Sequence, residues 1–180
     1  MNIKLYTDFL FLIILGVLTS LSLPPLNYFF INFLTFTSFF LFLIHRSNQN
    51  INNKLFFFYG WLFGFGYFVT NLYWISISLT HDPNFKFLIP LTIILIPSFL
   101  SIFYGFITFF FKIFKPNKLI SSFLVFSLIF GILEFIRGSI FTGFPWNLIA
   151  YSLSNQLEVL SITSIIGTYG FNLFCISLFT

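Results

Sequence analysis

Charged side chains are scarce in this 180-residue chain, which has 8 Lys and Arg and 4 Asp and Glu, or 7% in all. A soluble domain carries about 25% charged residues. Hydrophobic residues make up 58% of the chain, and the mean hydropathy is +1.01. So little charge cannot cover a surface that faces water. The composition excludes a soluble globular protein and predicts an integral membrane protein. We expect it to contact the lipid bilayer and not to bind nucleic acid.

Thiols and imidazoles are also scarce. The one cysteine, Cys175, excludes an internal disulfide and a multi-cysteine metal site. His45 and His81 are far apart and have no cysteine nearby, so a zinc site is not expected. We expect no metal and no other cofactor. In an apolar helix Cys175 is more simply a small buried hydrophobe than a reactive thiol.

Six hydrophobic segments follow one another along the chain. A helix needs about 20 apolar residues to cross a hydrocarbon core about 30 Å thick. We therefore predict an all-α transmembrane domain over residues 1–180 with about six spans. These cover roughly 5–23, 29–44, 55–79, 85–114, 119–137 and 157–179, with a short interfacial piece over 148–154. A cleaved signal peptide is the alternative for the first segment, although no clear small-residue cleavage site precedes Pro24.

Glycine and proline mark two of these segments. Gly60, Gly64 and Gly66 give the third segment a small-residue face, on which another helix can pack closely. Pro90 and Pro97 lie in the fourth segment. Prolines inside a membrane helix are tolerated where neighbouring groups satisfy the freed carbonyls, and they usually leave kinks.

The placement of lysine and arginine predicts the orientation. With the N-terminus in the cytoplasm, six basic residues face the cytoplasm and two face the far side, which is a clear positive-inside bias. The six are Lys4, Arg46, Lys54, Lys112, Lys115 and Lys118, and the two are Lys86 and Arg137. The loop over 138–156 is then expected on the side away from the cytoplasm.

Two charged residues lie within apolar sequence at 133–147, which reads LEFIRGSIFTGFPWN. Glu134 and Arg137 are three residues apart, so on a helix they share a face and can pair. Charges within a membrane segment are costly unless they are paired or near water, and they are functional candidates by default. Two interpretations stay open: the pair serves a function, or its members only neutralise one another at a helix end.

Other polar or irregular positions carry weaker signals. The Gly143–Trp146 run fits an ordinary interfacial turn with Trp146 at headgroup depth, and it also fits a functional site. Candidates for hydrogen bonds between helices are Asn71, Asn147 and Asn172, and His81-Asp82 fits a loop. None of these patterns identifies a reaction.

The stretch from Glu134 to Tyr151 resembles the signature of bacterial apolipoprotein N-acyltransferases, roughly E-x-x-R-G-x-x-x-T-G-F-P-W followed by Tyr. The residues that carry the resemblance are Glu134, Arg137, Gly138, Thr142, Gly143, Phe144, Pro145, Trp146 and Tyr151. Further stretches agree in order and spacing, namely 64–68 with 73–75, 90–97 and 167–172. The resemblance covers nearly the whole chain.

This resemblance implies a lipoprotein-maturation enzyme of the bacterial inner membrane, with the 138–156 loop facing the periplasm. Such enzymes take an acyl chain from a membrane phospholipid onto a cysteine thiol. They then pass it to the α-amino group of the diacylglyceryl-cysteine of a diacylated apolipoprotein. In the family, the membrane part surrounds the region where lipids arrive and holds the catalytic domain. The lipid-binding or supporting residues would be Glu134, Arg137, Gly143, Phe144, Pro145, Trp146 and Tyr151.

The sequence departs from the family in one respect. The family's catalytic Glu-Lys-Cys triad belongs to a nitrilase-like domain, and no residue of this sequence matches it. Cys175 does not occupy the nucleophile position. We therefore expect the product of a truncated gene, a fragment or a split protein, and we expect it to be inactive by itself. A small transporter or channel, with the Glu134–Arg137 pair lining a path, is the alternative, although the internal repeats often seen in transporters are not apparent.

Overall fold

The computed structural model describes residues 3–49, 51–140 and 143–180. All regular structure in these ranges is helical, which confirms the all-α prediction for the described residues. The α-helices are α1 (Ile3–Ser20), α2 (Ile31–Ser47), α3 (Asn53–Leu72), α4 (Ile75–Ser78), α5 (Ile89–Phe114), α6 (Leu119–Ser139), α7 (Leu157–Leu160) and α8 (Thr163–Phe179). Two 3₁₀ segments are Pro83–Leu88, directly before α5, and Ile149–Leu153. The Lys4 side chain, used for the orientation, lies outside the described part.

Three helical stretches are long and apolar enough to cross a membrane: Asn53–Leu72, Pro83–Phe114 and Leu119–Ser139. With 21 residues and a rise of about 1.5 Å per residue, α6 is about 31 Å long. That matches a hydrocarbon core of about 30 Å. Shorter apolar helices cover Leu5–Ser20 and Thr163–Phe179.

Helix α3 lies between α1 and α5, and glycines allow both approaches. Gly60 and Gly64 face α5, where a Cβ at Gly64 would lie 2.8 Å from the Cβ of Tyr104. Gly66 faces the backbone of α1, and Gly16 of α1 faces the backbone of α3 in return. The small-residue face predicted from the sequence therefore serves two neighbouring helices. Close backbone approach of this kind is how membrane helices gain packing contacts without a hydrophobic driving force.

Aromatic rings fill the space where α2, α3, α5 and α6 meet. The rings of Phe39 and Phe63 stack with centroids 4.1 Å apart and planes 7° apart. Tyr104 of α5 meets Phe130 of α6 at 5.1 Å, edge to face. Offset and edge-to-face pairs are the favoured ring geometries. Much of the phenylalanine of this chain therefore forms its interior.

Two segments predicted as continuous helices are interrupted. Helix α3 ends at Leu72, and a single turn, α4, follows it. The stretch over 157–179 is divided into α7 and α8, and Gly167 within α8 has φ +72° and ψ 166°. Glycine adopts this conformation without the steric cost of a side chain. Hydropathy does not show such breaks, because apolar residues flank them on both sides.

The end of the bundle that carries residues 48–49 and 115–118 has a polar cluster of its own. Arg46 of α2 pairs with Asp8 of α1. Arg46 also donates to Gln49 Oε1 at 2.9 Å, and the Tyr59 hydroxyl of α3 donates to Asp8 Oδ2 at 3.4 Å. The cluster thus joins three helices, and our reading of the sequence did not single it out.

Candidate functional site

The last two turns of α6 place Glu134 and Arg137 on one face, as their spacing predicted. Arg137 Nη2 donates to Glu134 Oε2 at 2.5 Å, and the side chains are 0% and 1% exposed for Arg137 and Glu134 respectively. The predicted pairing is therefore confirmed. The pair lies at the end of the bundle opposite the Asp8–Arg46 pair.

Arg137 also holds the loop that follows α6. Its Nη1 donates to two backbone carbonyls, that of Phe144 at 2.9 Å and that of Trp146 at 3.0 Å. In return, the Phe144 N–H donates to the Arg137 carbonyl at 3.3 Å. Arginine suits this task because its planar fork can meet several oxygen atoms at once. The guanidinium is thus the internal support of the loop over 143–146.

The transport alternative predicts that the Glu134–Arg137 pair lines a path. Side chains that line an ion or substrate path are in contact with water, as intramembrane charges with such a role are expected to be. Glu134 and Arg137 are both buried, and Arg137 donates hydrogen bonds to its own loop and to Glu134.

Two neighbouring helices enclose the pair. The Arg137 guanidinium lies over the ring of Phe68 at 5.4 Å, a cation–π contact from α3. Tyr104 of α5 is buried, and its hydroxyl is near enough to the Glu134 carboxylate to interact with its charge. Tyr67 of α3 donates its hydroxyl to the Asn147 carbonyl at 2.8 Å.

The sequence analysis did not assign Tyr67 or Tyr104 to the site as individual residues. Both are nearly or fully buried in apolar helices. A buried tyrosine hydroxyl usually finds a hydrogen-bond partner. A tyrosine within an apolar run was therefore a usable signal that a polar group lies opposite it.

The two described glycines of the motif are explained by backbone conformation and close contact. Gly143 has φ +80°, and a Cβ there would lie 2.5 Å from the Gly138 carbonyl oxygen. Its N–H donates to the Ile140 carbonyl at 2.8 Å. Gly138 lies directly against the hydroxyl of Tyr169, in space that a side chain would occupy. Thr142, which also belongs to the motif, lies outside the described residues.

The side of the loop that carries the Trp146 ring is exposed. Trp146 is 59% exposed, and its ring meets that of Trp74 edge to face at 6.4 Å. The Tyr151 hydroxyl donates to the Pro145 carbonyl at 3.2 Å. Burial raises the pKa of Tyr151, and the nearby Tyr169 raises it further, so this hydroxyl stays protonated and able to donate.

All the predicted site residues lie together at this end of α6, and the loop separates two grooves. The smaller groove, about 560 Å³, lies against α5 and is lined by Arg137, Gly143 and Phe144 among others. The larger groove, about 920 Å³, lies against the ends of α1 and α3 and is lined by residues 145–147 among others. Consecutive residues of one loop therefore line two different grooves.

The three asparagines have different roles. Asn172 Oδ1 accepts a hydrogen bond from the Ala150 N–H at 3.0 Å, so this one links α8 to the 3₁₀ segment as expected. Asn71 Nδ2 donates instead to the Tyr67 carbonyl of its own helix at 3.0 Å. The hydrogen bond between helices that was expected of Asn71 is not found among the described residues. Asn147 contributes its backbone carbonyl to the link with Tyr67.

Cys175 and the loop before α5 stand apart from the site. Cys175 is fully buried within α8. Asp82 Oδ1 accepts from the Asn84 N–H at 2.9 Å and caps the 3₁₀ segment, a structural role for a loop residue. Within 3–49, 51–140 and 143–180, no group of three His, Cys, Asp or Glu side chains could hold a metal ion.

Comparison with known proteins identifies the family of this chain. The family model described as the apolipoprotein N-acyltransferase N-terminal domain matches residues 15–178. The chain belongs to the apolipoprotein N-acyltransferase family. Together with the three long apolar helices, this identifies a membrane protein, and the resemblance read from the motif is confirmed.

Curated apolipoprotein N-acyltransferases from several bacteria are similar to this chain. The protein from Rhizobium etli is 34% identical over 172 residues, which cover 92% of this chain and 32% of that protein. The protein from Rickettsia prowazekii is 33% identical over 181 residues, or 98% and 34%. The protein from Brucella melitensis is 36% identical over 121 residues, or 67% and 23%. The chain thus spans about a third of the length of the Rhizobium and Rickettsia relatives.

Proposed function

We propose that this chain is the membrane-embedded N-terminal part of an apolipoprotein N-acyltransferase. The whole enzyme would transfer an acyl chain from a membrane phospholipid to the N-terminal diacylglyceryl-cysteine of a lipoprotein. Family membership supports the reaction class. The observation that carries a role for this part is the bridge from Arg137 to the carbonyls of Phe144 and Trp146.

In this proposal the chain positions lipid and supports the catalytic machinery, and it supplies no catalytic residue. Glu134 fixes the guanidinium of Arg137, and Arg137 fixes the loop. The loop in turn presents Pro145 and Trp146 outward. Because Arg137 is buried and its Nη1 and Nη2 atoms bind the loop and Glu134, it acts as a positioning residue.

We further propose that the domain forms about six spans in the bacterial inner membrane, with its N-terminus in the cytoplasm. The 138–156 loop then faces the periplasm. The distribution of basic residues supports this orientation. Lys112 and Lys115 support it as well, because both bind the 47–49 loop and so place two lysines at the proposed cytoplasmic end.

The orientation can be measured with single cysteines in a Cys175→Ala background. Asn117 and Gln156 are exposed residues at opposite ends of the bundle. In intact spheroplasts, Gln156→Cys is expected to react with a membrane-impermeant maleimide, and Asn117→Cys is expected to react only after the membrane is permeabilised. The opposite pattern would reverse the proposed topology.

The activity can be tested in a hybrid enzyme. This chain would replace the matched 172-residue segment of the Rhizobium etli protein. With phospholipid and a diacylated lipopeptide, the hybrid is expected to form triacylated lipopeptide, detected by mass spectrometry. The parent enzyme is the positive control. The same membrane abundance with no product would contradict the proposed function.

A further inference from the structure

Four lysines lie at the end of the bundle opposite the motif loop, and the proposed acyl transfer does not involve them. We call them the basic patch. Its members are Lys54 near the start of α3, Lys112 in the last turn of α5, and Lys115 and Lys118 between α5 and α6. Lys54 and Lys118 are exposed, whereas the other two are half-buried. All four therefore reach the surface of this end.

Contacts with the turn after α2 hold two of these lysines near each other. Lys112 Nζ donates to the Ser47 carbonyl at 2.8 Å and to the Gln49 carbonyl at 3.4 Å. Lys115 Nζ donates to Asn48 Oδ1 at 2.9 Å. The two lysines are close enough for their charges to repel each other, and such repulsion is stronger where water is partly excluded. The surrounding oxygen atoms supply hydrogen bonds but no negative charge.

The basic patch has no carboxylate to balance it. The chain has four acidic side chains, and of these Asp8 lies at this end, where it pairs with Arg46. No salt bridge joins a lysine of the patch to a carboxylate in the described part of the chain. The opposite end is formally negative, with Asp82, Glu134 and Glu158 against Lys86 and Arg137. The unbalanced positive charge is thus concentrated at one end.

Exposed apolar side chains border the patch and indicate what kind of partner it fits. Phe114 directly precedes Lys115, and Leu119 and Ile120 directly follow the patch. All three apolar residues are mostly exposed. Lysines at the ends of membrane helices extend to the headgroup level, while apolar neighbours face the acyl chains. A phospholipid offers both a phosphate and acyl chains, whereas a water-soluble partner would leave the apolar residues uncovered.

We propose that the basic patch binds an anionic phospholipid in the leaflet at this end of the bundle. The lysine Nζ groups donate hydrogen bonds to the phosphate oxygens, and the acyl chains lie against the apolar residues beside the patch. Clusters of lysine next to a membrane helix attract anionic lipids in this way. Phosphatidylglycerol fits because its phosphate charge is not balanced within the lipid. Phosphatidylcholine and phosphatidylethanolamine each carry a cation of their own.

Fluorescence quenching in nanodiscs tests the inference and locates the lipid. A bimane label is attached at Ile120→Cys, beside the patch, in a Cys175→Ala background. The control label is at Phe87→Cys, an exposed position at the opposite end. Phosphatidylglycerol and phosphatidylcholine, each with a nitroxide near the ester end of an acyl chain, are compared at equal mole fraction. Phosphatidylglycerol is expected to bind more tightly beside the patch by about fivefold or more, the gain from one lysine at a membrane surface. No such preference is expected at Phe87→Cys.

Single charge variants sharpen the test. Lys115→Gln removes one charge of the patch and keeps a polar side chain. Lys86→Gln is the matched control, since it removes an exposed lysine at the opposite end. At the Ile120→Cys label, Lys115→Gln is expected to lower the preference for phosphatidylglycerol by roughly twofold or more, and Lys86→Gln is expected to leave it unchanged.

A triple variant and added salt test whether charge is the cause. Replacement of Lys54, Lys115 and Lys118 by glutamine is expected to abolish the preference. Lys112 is retained because it holds the turn after α2. Raising the ionic strength is expected to weaken the preference in the wild-type patch, because dissolved ions screen exposed charges. Monodispersity on size exclusion and the melting temperature show whether each variant is folded.

Three outcomes would overturn the inference. The first is equal quenching by the two lipids at Ile120→Cys, and the second is a preference that survives in a folded triple variant. The third is displacement of phosphatidylglycerol by soluble glycerol phosphate, because the patch would then take a free phosphate and not a lipid. If a variant misfolds, the salt dependence of the wild-type patch decides the matter. No acylation is measured, so the result is independent of the hybrid-enzyme test.

Discussion

Two buried ion pairs lie at opposite ends of this helical bundle, and they are built differently. Glu134 and Arg137 belong to one helix and are three residues apart. Asp8 and Arg46 belong to two helices and are 38 residues apart. The first pair has 0–1% side-chain exposure, whereas the side chains of the second are 8% exposed for Arg46 and 11% for Asp8.

The difference shows how the same chemistry can serve two purposes. A pair within one helix adds no link between elements, but it fixes the guanidinium so that the other donors of Arg137 can hold a loop. A pair between helices is itself the link, and the Tyr59 hydroxyl extends the link to α3. The Glu134–Arg137 pair therefore positions the loop over 143–146, while the Asp8–Arg46 pair ties the helices together.

The largest effect is expected at the Glu134–Arg137 pair. Arg137→Ala leaves Glu134 buried without a partner and frees two loop carbonyls, so it should lower the free energy of unfolding by about 3–5 kcal/mol. Glu134→Ala should be similarly severe. The double variant should lose less free energy of unfolding than the two single variants lose together. The difference, which is the coupling energy of the pair, should be about 0.5–3 kcal/mol. Unfolding in detergent, followed by circular dichroism, measures this.

Glu134→Gln is the matched control, because it keeps an acceptor of similar shape for Arg137. Its free energy of unfolding should lie between that of the wild type and that of Glu134→Ala. Strictly additive losses in the double variant would mean that the two side chains are not energetically coupled, despite their contact.

A smaller effect is expected at the Asp8–Arg46 pair. Asp8→Ala removes charged hydrogen bonds to Arg46 and Tyr59, each worth about 1.5–3 kcal/mol at most, and partial exposure lets water compensate Arg46. The melting temperature in detergent should fall, while in the hybrid enzyme the activity per folded molecule should stay unchanged. A loss of specific activity equal to that of Arg137→Ala would contradict the division of roles.

The next largest effect is expected for Gly143→Ala, which tests the loop without removing a charge. The left-handed conformation at φ +80° costs a residue with a side chain about 1–2 kcal/mol, and the added Cβ would also press on the Gly138 carbonyl. Gly170→Ala is the control, since no positive φ is involved and its nearest neighbour is Ile166 at 3.3 Å. Equal melting temperatures for the two variants would show that the turn is not strained.

The smallest change in stability is expected for Trp146→Ala, since 59% of this residue is already exposed. Its free energy of unfolding should stay within about 0.5 kcal/mol of the wild-type value, as for most surface substitutions, and its abundance should be unchanged. In the hybrid enzyme, turnover should nevertheless fall, because the outward ring is what the Arg137 bridge presents. Lipopeptide acylation measured beside membrane abundance separates the two quantities. Unchanged turnover would limit the role of the loop to structure.

The composition and the spacing of nearby residues were enough to predict several features. Scarce charge predicted a membrane protein, and the three-residue spacing of Glu134 and Arg137 predicted their pairing. The motif from Glu134 to Tyr151 indicated the family. These predictions succeeded because each depends on composition or on neighbours along one helix, where helical geometry alone sets the distances.

Only the tertiary structure decided which distant groups meet. The bridge to Phe144 and Trp146, the cover from Tyr67 and Tyr104, and the Asp8–Arg46 link all join residues through backbone turns or between helices. In a chain that is apolar almost throughout, hydropathy cannot distinguish the faces of a helix that meet protein from those that meet lipid. Close packing makes that choice, through the small residues that let two backbones approach and the rings that fill what remains.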